Sequence, residues 1–92
     1  MTNNLPHVDA FALATDAFAL ANECVIKAST TNSTAARELV DIAQDLAHDI
    51  AAYANLCRKA NSLRERTELL ERARAAMVTL HDLRTDCLAY AA

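Results

Sequence analysis

The 92-residue chain carries 21 alanines, no glycine, one proline, three cysteines and a formal charge of −3. Without glycine there is no phosphate-cradling loop, no P-loop and no dinucleotide fingerprint. The acidic total argues against strong nonspecific binding of nucleic acid, and no segment approaches the ~18 uncharged apolar residues that would span a membrane.

The first predicted helix runs from Pro6 to about Ala28, after a polar, loose segment over residues 1–5. Pro6 suits the first turn, where its missing N–H is not needed. The hexapeptide Asp-Ala-Phe-Ala-Leu-Ala occurs at Asp9–Ala14 and again at Asp16–Ala21. A seven-residue step returns to nearly the same helix face, so Phe11 lies under Phe18 and Leu13 under Leu20. Val8, Phe11, Ala14, Phe18, Ala21 and Val25 form the expected apolar stripe, adjoined by Leu13, Ala17, Leu20 and Cys24. Asp9, Asp16 and Glu23 mark the wet side.

Ser29-Thr30-Thr31-Asn32-Ser33-Thr34 is the clearest break, because six consecutive hydroxyl or amide side chains compete for backbone hydrogen bonds. The second helix is predicted over about 34–59. Its stripe is Leu39, Ala43, Leu46, Ile50, Tyr53 and Cys57, widened by Ile42 and Leu56. Ser62-Leu63-Arg64-Glu65 then has capping-box spacing, and a third helix follows over about 63–90. Leu70, Ala73, Met77, Leu80 and Cys87 form its seam, flanked by Leu69, Ala76, Leu83 and Tyr90. Arg84 interrupts that seam, which places it at a bundle end, in an ion pair or at an interface.

Three rods of about 23, 26 and 28 residues would be roughly 35–42 Å long. Short connections make sequential helices antiparallel neighbours. The expected fold is all-α, one domain over residues 1–92: an antiparallel up-down bundle of three long helices, or four if the second or third helix breaks. The second and third could also form one bent helix. Alanine buries little area, so the interior is thin. Close packing through small side chains, association with further copies or a partner, or both, would compensate.

Charge is uneven. Residues 1–50 hold seven acids against two bases, and residues 51–92 hold seven bases against five acids. Arg58, Lys59, Arg64, Arg66, Arg72 and Arg74 form a basic cluster. It reads either as a solvated helix face laced by pairs such as Glu68 with Arg72 and Glu71 with Arg74, or as a contact surface for a partner or for nucleic acid. Cys24, Cys57 and Cys87 are widely spaced, matching neither a disulfide framework nor a zinc site. Each falls on or beside an apolar stripe and should pack as a small hydrophobe. With no basic start and apolar run at the N-terminus, a reducing, cytoplasmic location is expected.

Chemistry-bearing combinations are sparse. Asp45 and His48 lie one turn apart, as in bundle metal sites, but no second such motif or set of inward carboxylates accompanies them. A solvated face is expected, and no metal or other cofactor. His7 needs no role in the loose N-terminal region. Phe11, Phe18, Tyr53 and Tyr90 are expected in the core. Arg74-Ala-Ala-Met-Val-Thr-Leu-His81 resembles the Arg-x(4–6)-His motif of the helical HEPN ribonucleases, which implies Arg74 and His81 handling an RNA phosphate and a proton. The residues by themselves place His81 at the surface or toward a partner.

From Leu39 to Ala89 the chain resembles the small four-helix-bundle proteins that include the ribosomal-RNA intervening-sequence proteins and the accessory variability determinant (Avd) of diversity-generating retroelements. Ile50 takes the place of the family's isoleucine, and Ser62, Glu65, Leu70, Ala73 and Leu80 fall in step with its following helix. Asp49, Tyr53 and Leu56-Cys57 depart from its Ser-Ile-x-x-Asn-x-x-Glu-Gly signature. The resemblance implies an accessory subunit binding a reverse transcriptase and RNA, with the six basic residues from Arg58 to Arg74 as contacts. Composition and patterning by themselves lead to a non-enzymatic interaction protein that self-associates or docks on a protein partner as regulator, inhibitor or accessory subunit, with no small-molecule substrate and no membrane partner. Small phage or mobile-element proteins offer the analogy.

Overall fold

The computed structural model describes residues 6–31 and 33–90. Three helices make up the fold: α1 (Pro6–Ser29), α2 (Thr34–Lys59) and α3 (Leu63–Ala89). Each limit falls within a residue of the sequence expectation, because cap chemistry at the breaks is local. The loose segment expected over residues 1–5 lies outside the described residues. The molecule is an all-α up-down-up bundle of 47 × 24 × 15 Å.

Hydroxyls end α1. Ser29 Oγ, Thr30 Oγ1 and Thr31 Oγ1 donate to the carbonyls of Ile26, Lys27 and Ala28 at 2.6, 2.7 and 3.4 Å, satisfying acceptors that have no intrahelical partner. Ser33 caps α2, its Oγ accepting from Ala36 N at 3.2 Å. Ser62 caps α3, its Oγ accepting from Glu65 N at 3.1 Å and donating to Glu65 Oε1 at 3.2 Å. Between α2 and α3 the backbone turns extended at Ala60. The Arg66 guanidinium donates Nε and Nη2 to Ala60 O at 3.2 and 3.1 Å, and Cys57 Sγ donates to Arg66 O at 3.3 Å. The second and third helices are therefore separate, folded back on each other.

α1 and α3 run parallel. Arg84 donates Nε and Nη2 to the two Glu23 carboxylate oxygens at 2.9 and 3.0 Å, and one turn along Cys87 Sγ donates to Cys24 O at 3.6 Å. The arginine that breaks the α3 seam is thus held in a bidentate pair on α1.

Buried positions step by threes and fours, the 3.5-residue period of a left-handed coil. On α1 they are Pro6, Ala10, Ala14, Ala17, Ala21, Cys24 and Ala28. α2 contributes Ala36, Ala43, Ala47, Ile50, Ala54 and Cys57, with half-buried Val40 filling the one skipped step. α3 supplies most of the bulk through Leu70, Met77 and Leu80, together with Ala73 and Cys87. Every residue of the predicted α3 seam is buried. On α2, Leu39, Leu46 and Tyr53 are partly buried against the core, whereas Ile42 and Leu56 are exposed.

The α1 stripe is rotated from the expected one. Val8, Phe11 and Phe18 are 53, 70 and 42% exposed, while Ala10 and Ala17 are fully buried. Tyr90 is also exposed. The expected aromatic core is therefore replaced, except for half-buried Tyr53, by an alanine core. Alanines on facing helices let the backbones approach closely, and a phenyl ring in that seam would hold them apart.

Candidate docking groove

Beside the buried row of α1 stand its aromatic residues. Phe11 and Phe18 each follow a buried alanine by one position, and Val8 lies one turn before Phe11. This flank borders α2 on the side away from α3. There α2 presents Ala51 and Ala54, too small to cover the rings. The result is an apolar groove of about 530 Å³, floored by Ala14, Ala51 and Ala54 and walled by Val8, Phe11 and Phe18.

Its rim is polar. Asn55, Arg58, Thr15 and His7 border it. Arg58 Nη2 donates to Asn55 Oδ1 at 3.0 Å, and Thr15 Oγ1 donates to Phe11 O at 3.2 Å. His7 Nδ1 is buried and has no hydrogen-bond partner among the described residues, so this imidazole belongs to the groove edge rather than to a loose N-terminal segment. Further along, Phe18 meets the His48 ring edge to face, with centroids 5.4 Å apart and planes at 78°. Smaller depressions continue between the two helices past Val25, Gln44, Arg37 and Asp41.

The six basic residues do not converge. Arg58 edges the groove and Lys59 is exposed. Arg64 Nε pairs with Glu68 Oε1 at 3.2 Å in an exposed i,i+4 contact. Arg66 is half-buried and holds the α2–α3 turn. Arg72 lies beside Glu65, Glu68 and Leu69, and Arg74 is exposed. At about 100° per residue, Arg64, Arg66, Arg72 and Arg74 point in four directions around α3.

Arg74 and His81 are both exposed, one heptad apart on α3. His81 adjoins Asp16, Ala19, Leu20 and Met77 in a shallow depression. Asp45 and His48 are exposed on α2. Among the described residues no three His, Cys, Asp or Glu side chains are placed to hold a metal ion, and no helix is long and apolar enough to cross a membrane.

All three cysteines are buried and free. Burial pushes the Cys24 thiol up to about 11, and the adjacent Cys87 thiol adds to the rise. Burial also raises Cys57, against a smaller opposing pull from Arg66. A thiol held protonated is a poor nucleophile, so Cys24 and Cys57 act as packing groups. At the bundle surface, the hydrogen bond from Arg84 holds the Glu23 carboxyl below its usual range.

The sequence reading placed Phe11 and Phe18 in the core and so missed the groove. A signal was available: large residues flank the α1 alanine row on both sides, Phe11 and Phe18 on one and Leu13 and Leu20 on the other. A single helix face cannot bury both flanks equally. Comparison with protein-family models, characterised proteins and solved structures finds no match for this chain.

Proposed function

We propose that this chain is a non-enzymatic docking module that acts by presenting the α1–α2 groove to an apolar helix. One observation carries the reading: two phenylalanines stand exposed over an alanine floor, on a helix whose buried row past Pro6 is made of alanines and a cysteine. Contiguous exposed apolar surface rimmed by polar groups marks interaction sites. A groove between helices suits an amphipathic helix anchored at i, i+3, i+4 and i+7. Aromatic anchors of the Phe11 and Phe18 kind dominate the energetics of such contacts. The polar rim at Arg58, Asn55 and Thr15 would fix orientation rather than supply affinity.

Site-directed photo-crosslinking in the source cells tests this. A photoreactive phenylalanine analogue at position 11 or 18 should give discrete protein adducts, and the same analogue at exposed Ala12, on the outer face of α1, should not. Equal labelling from both faces, or none from either, would remove the docking reading.

A further inference from the structure

Resting on that reading, we infer that the occupant of the groove is an acidic amphipathic helix of a partner protein, which seats apolar side chains against Phe11 and Phe18 and sets a carboxylate against Arg58.

The chain as a whole is acidic, at −3, but its acids are kept off this flank. On α1, Asp9, Asp16 and Glu23 repeat by seven and so share one side of the helix. That side faces α3, where Glu23 meets Arg84 and Asp16 adjoins His81. The groove side of α1 carries His7 and Thr15 instead. On α2, Asp45 and Asp49 point about 120° and 160° around the helix from Ala51 in the groove. The α2 side is bordered by Arg58, His48 and Arg37 against a single acid, Asp41.

Arg58 is the cation this arrangement leaves unmatched. Its side chain donates to Asn55 Oδ1, a neutral group, and among the described residues it joins no ion pair. Asp41 lies about 25 Å back along the same helix, far beyond the ~8 Å Debye length at physiological salt. The acids at the start of α3 are engaged there, Glu65 by Ser62 and Glu68 by Arg64. Lys59, exposed beside Arg58, adds to the local charge. The end of the groove that holds the aromatic wall is therefore positive.

Shape and charge together select the occupant. Phe11 and Phe18 stand about 10.5 Å apart, two turns of helix, which matches apolar anchors at i, i+3, i+4 and i+7 of an incoming helix. A concave floor at Ala14, Ala51 and Ala54 admits a rod and not a flat bilayer surface. An apolar rod alone would strip water from Arg58 and return nothing, whereas a carboxylate at that edge forms a charge-assisted pair. The three helices of this chain are already packed on one another, so the incoming helix belongs to a partner.

Selection from a displayed library of helical peptides, with the full chain as target, gives the test. Each peptide has leucine at i, i+3, i+4 and i+7, and every other position is drawn equally from Glu, Lys, Gln and Ala. On the wild type, recovered peptides should carry Glu over Lys by at least about tenfold at one end of the leucine stripe, because a like charge set against Arg58 is penalised. Bulk electrostatics predict the opposite, since a chain of charge −3 attracts Lys-rich peptides. On Arg58→Glu the preference at that end should reverse to Lys. On Phe11→Asp recovery should collapse. Positions 11 and 58 are exposed, so circular dichroism should show both variants folded, and Phe11→Ala serves if the aspartate unfolds the chain. A recovered Glu peptide should bind Arg58→Gln about two- to fivefold more weakly than wild type, the scale of one rim pair, and added salt should narrow the gap.

Recovered peptides with no charge bias, or with Lys favoured, overturn the inference and leave the docking reading standing. A Glu preference that survives Arg58→Glu overturns it too. Crosslinks from position 11 that join only two copies of this chain put a second copy in the groove and remove the acidic partner. Recovery indifferent to both Phe11 variants removes the docking reading itself.

Discussion

Ala17→Leu tests which face α1 gives to the core. Ala17 is fully buried at the middle of the helix, between Ala14 and Ala21 in the same row. Leucine forces three extra carbons into a packed interior, which costs about 1–3 kcal/mol through displaced neighbours and off-rotamer side chains. For a domain of this size each kcal/mol moves the melting temperature by about 4–8 °C, so a fall of roughly 4–24 °C is expected. Ala12→Leu is the control. Position 12 is exposed on the outer side of the same helix, and a substitution there should stay within about 0.5 kcal/mol of wild type. The small loss of helix propensity from alanine to leucine is common to both and cancels in the comparison. Thermal and urea unfolding followed at 222 nm supply the data, at protein concentrations low enough that association does not contribute. If Ala17→Leu is as stable as Ala12→Leu, α1 does not dock by its alanine row and the groove is misplaced with it. Phe11→Ala gives the converse reading in the same assay. It should cost far less than the ~3–5 kcal/mol of a core aromatic truncated to alanine.

Two other outcomes follow from local chemistry. Ser62→Ala removes the acceptor for Glu65 N and should lower stability by about 1 kcal/mol, measurable by urea unfolding, while Ser62→Gly should cost only a few tenths. The Cys24 thiol is raised by burial to about 11 in the folded state from an ordinary value of 9.0. The folded chain therefore holds this proton after the unfolded chain has lost it. The contribution of Cys24 to stability is full below pH 9 and declines as pH rises from about 9 toward 11. Cys24→Ala should flatten that stretch of the urea-midpoint profile relative to wild type, and an unchanged slope would contradict the burial.

The sequence announces some parts of this structure far more clearly than others, and the difference is physical. The breaks at Ser29–Ser33 and at Ser62 are legible because hydroxyl capping acts over three residues and needs no tertiary partner. The α3 seam is legible because Leu70, Met77 and Leu80 give one face a clear excess of bulk. The facing of α1 is not. Ala10, Ala17 and Cys24 share a seven-residue period with Phe11, Phe18 and Val25, so periodicity proposes both faces and hydrophobicity favours the aromatic one. What decides between them lies on α2 and α3, where the alanines of α2 demand a small-residue counterpart. The spread of the basic cluster is illegible in the sequence for a related reason. The cluster is compact in sequence from Arg58 to Arg74, but it crosses a turn and then winds around α3, so neighbours in the chain become residues on different sides of the rod.

The groove itself follows from unequal sealing of the three seams. Along α1 and α3, Leu13 and Leu20 pack on the core from the α1 side, and Leu20 reaches Met77. The helical register sets Leu39, Leu46 and Tyr53 of α2 toward Leu69 and Ala76 of α3, all partly buried on the core. The α1–α2 seam alone has large side chains on one side and alanine on the other. Turning α1 by one residue would bring Phe11 and Phe18 inward, but it would carry Leu13 and Leu20 away from α3 and pull Glu23 from Arg84. Fully burying each ring is worth about 1.5–3 kcal/mol, and each leucine withdrawn from the core returns a loss of the same order. The single chain therefore gains nothing by the turn. A helix laid over the exposed flank would gain the burial of both rings without disturbing either leucine.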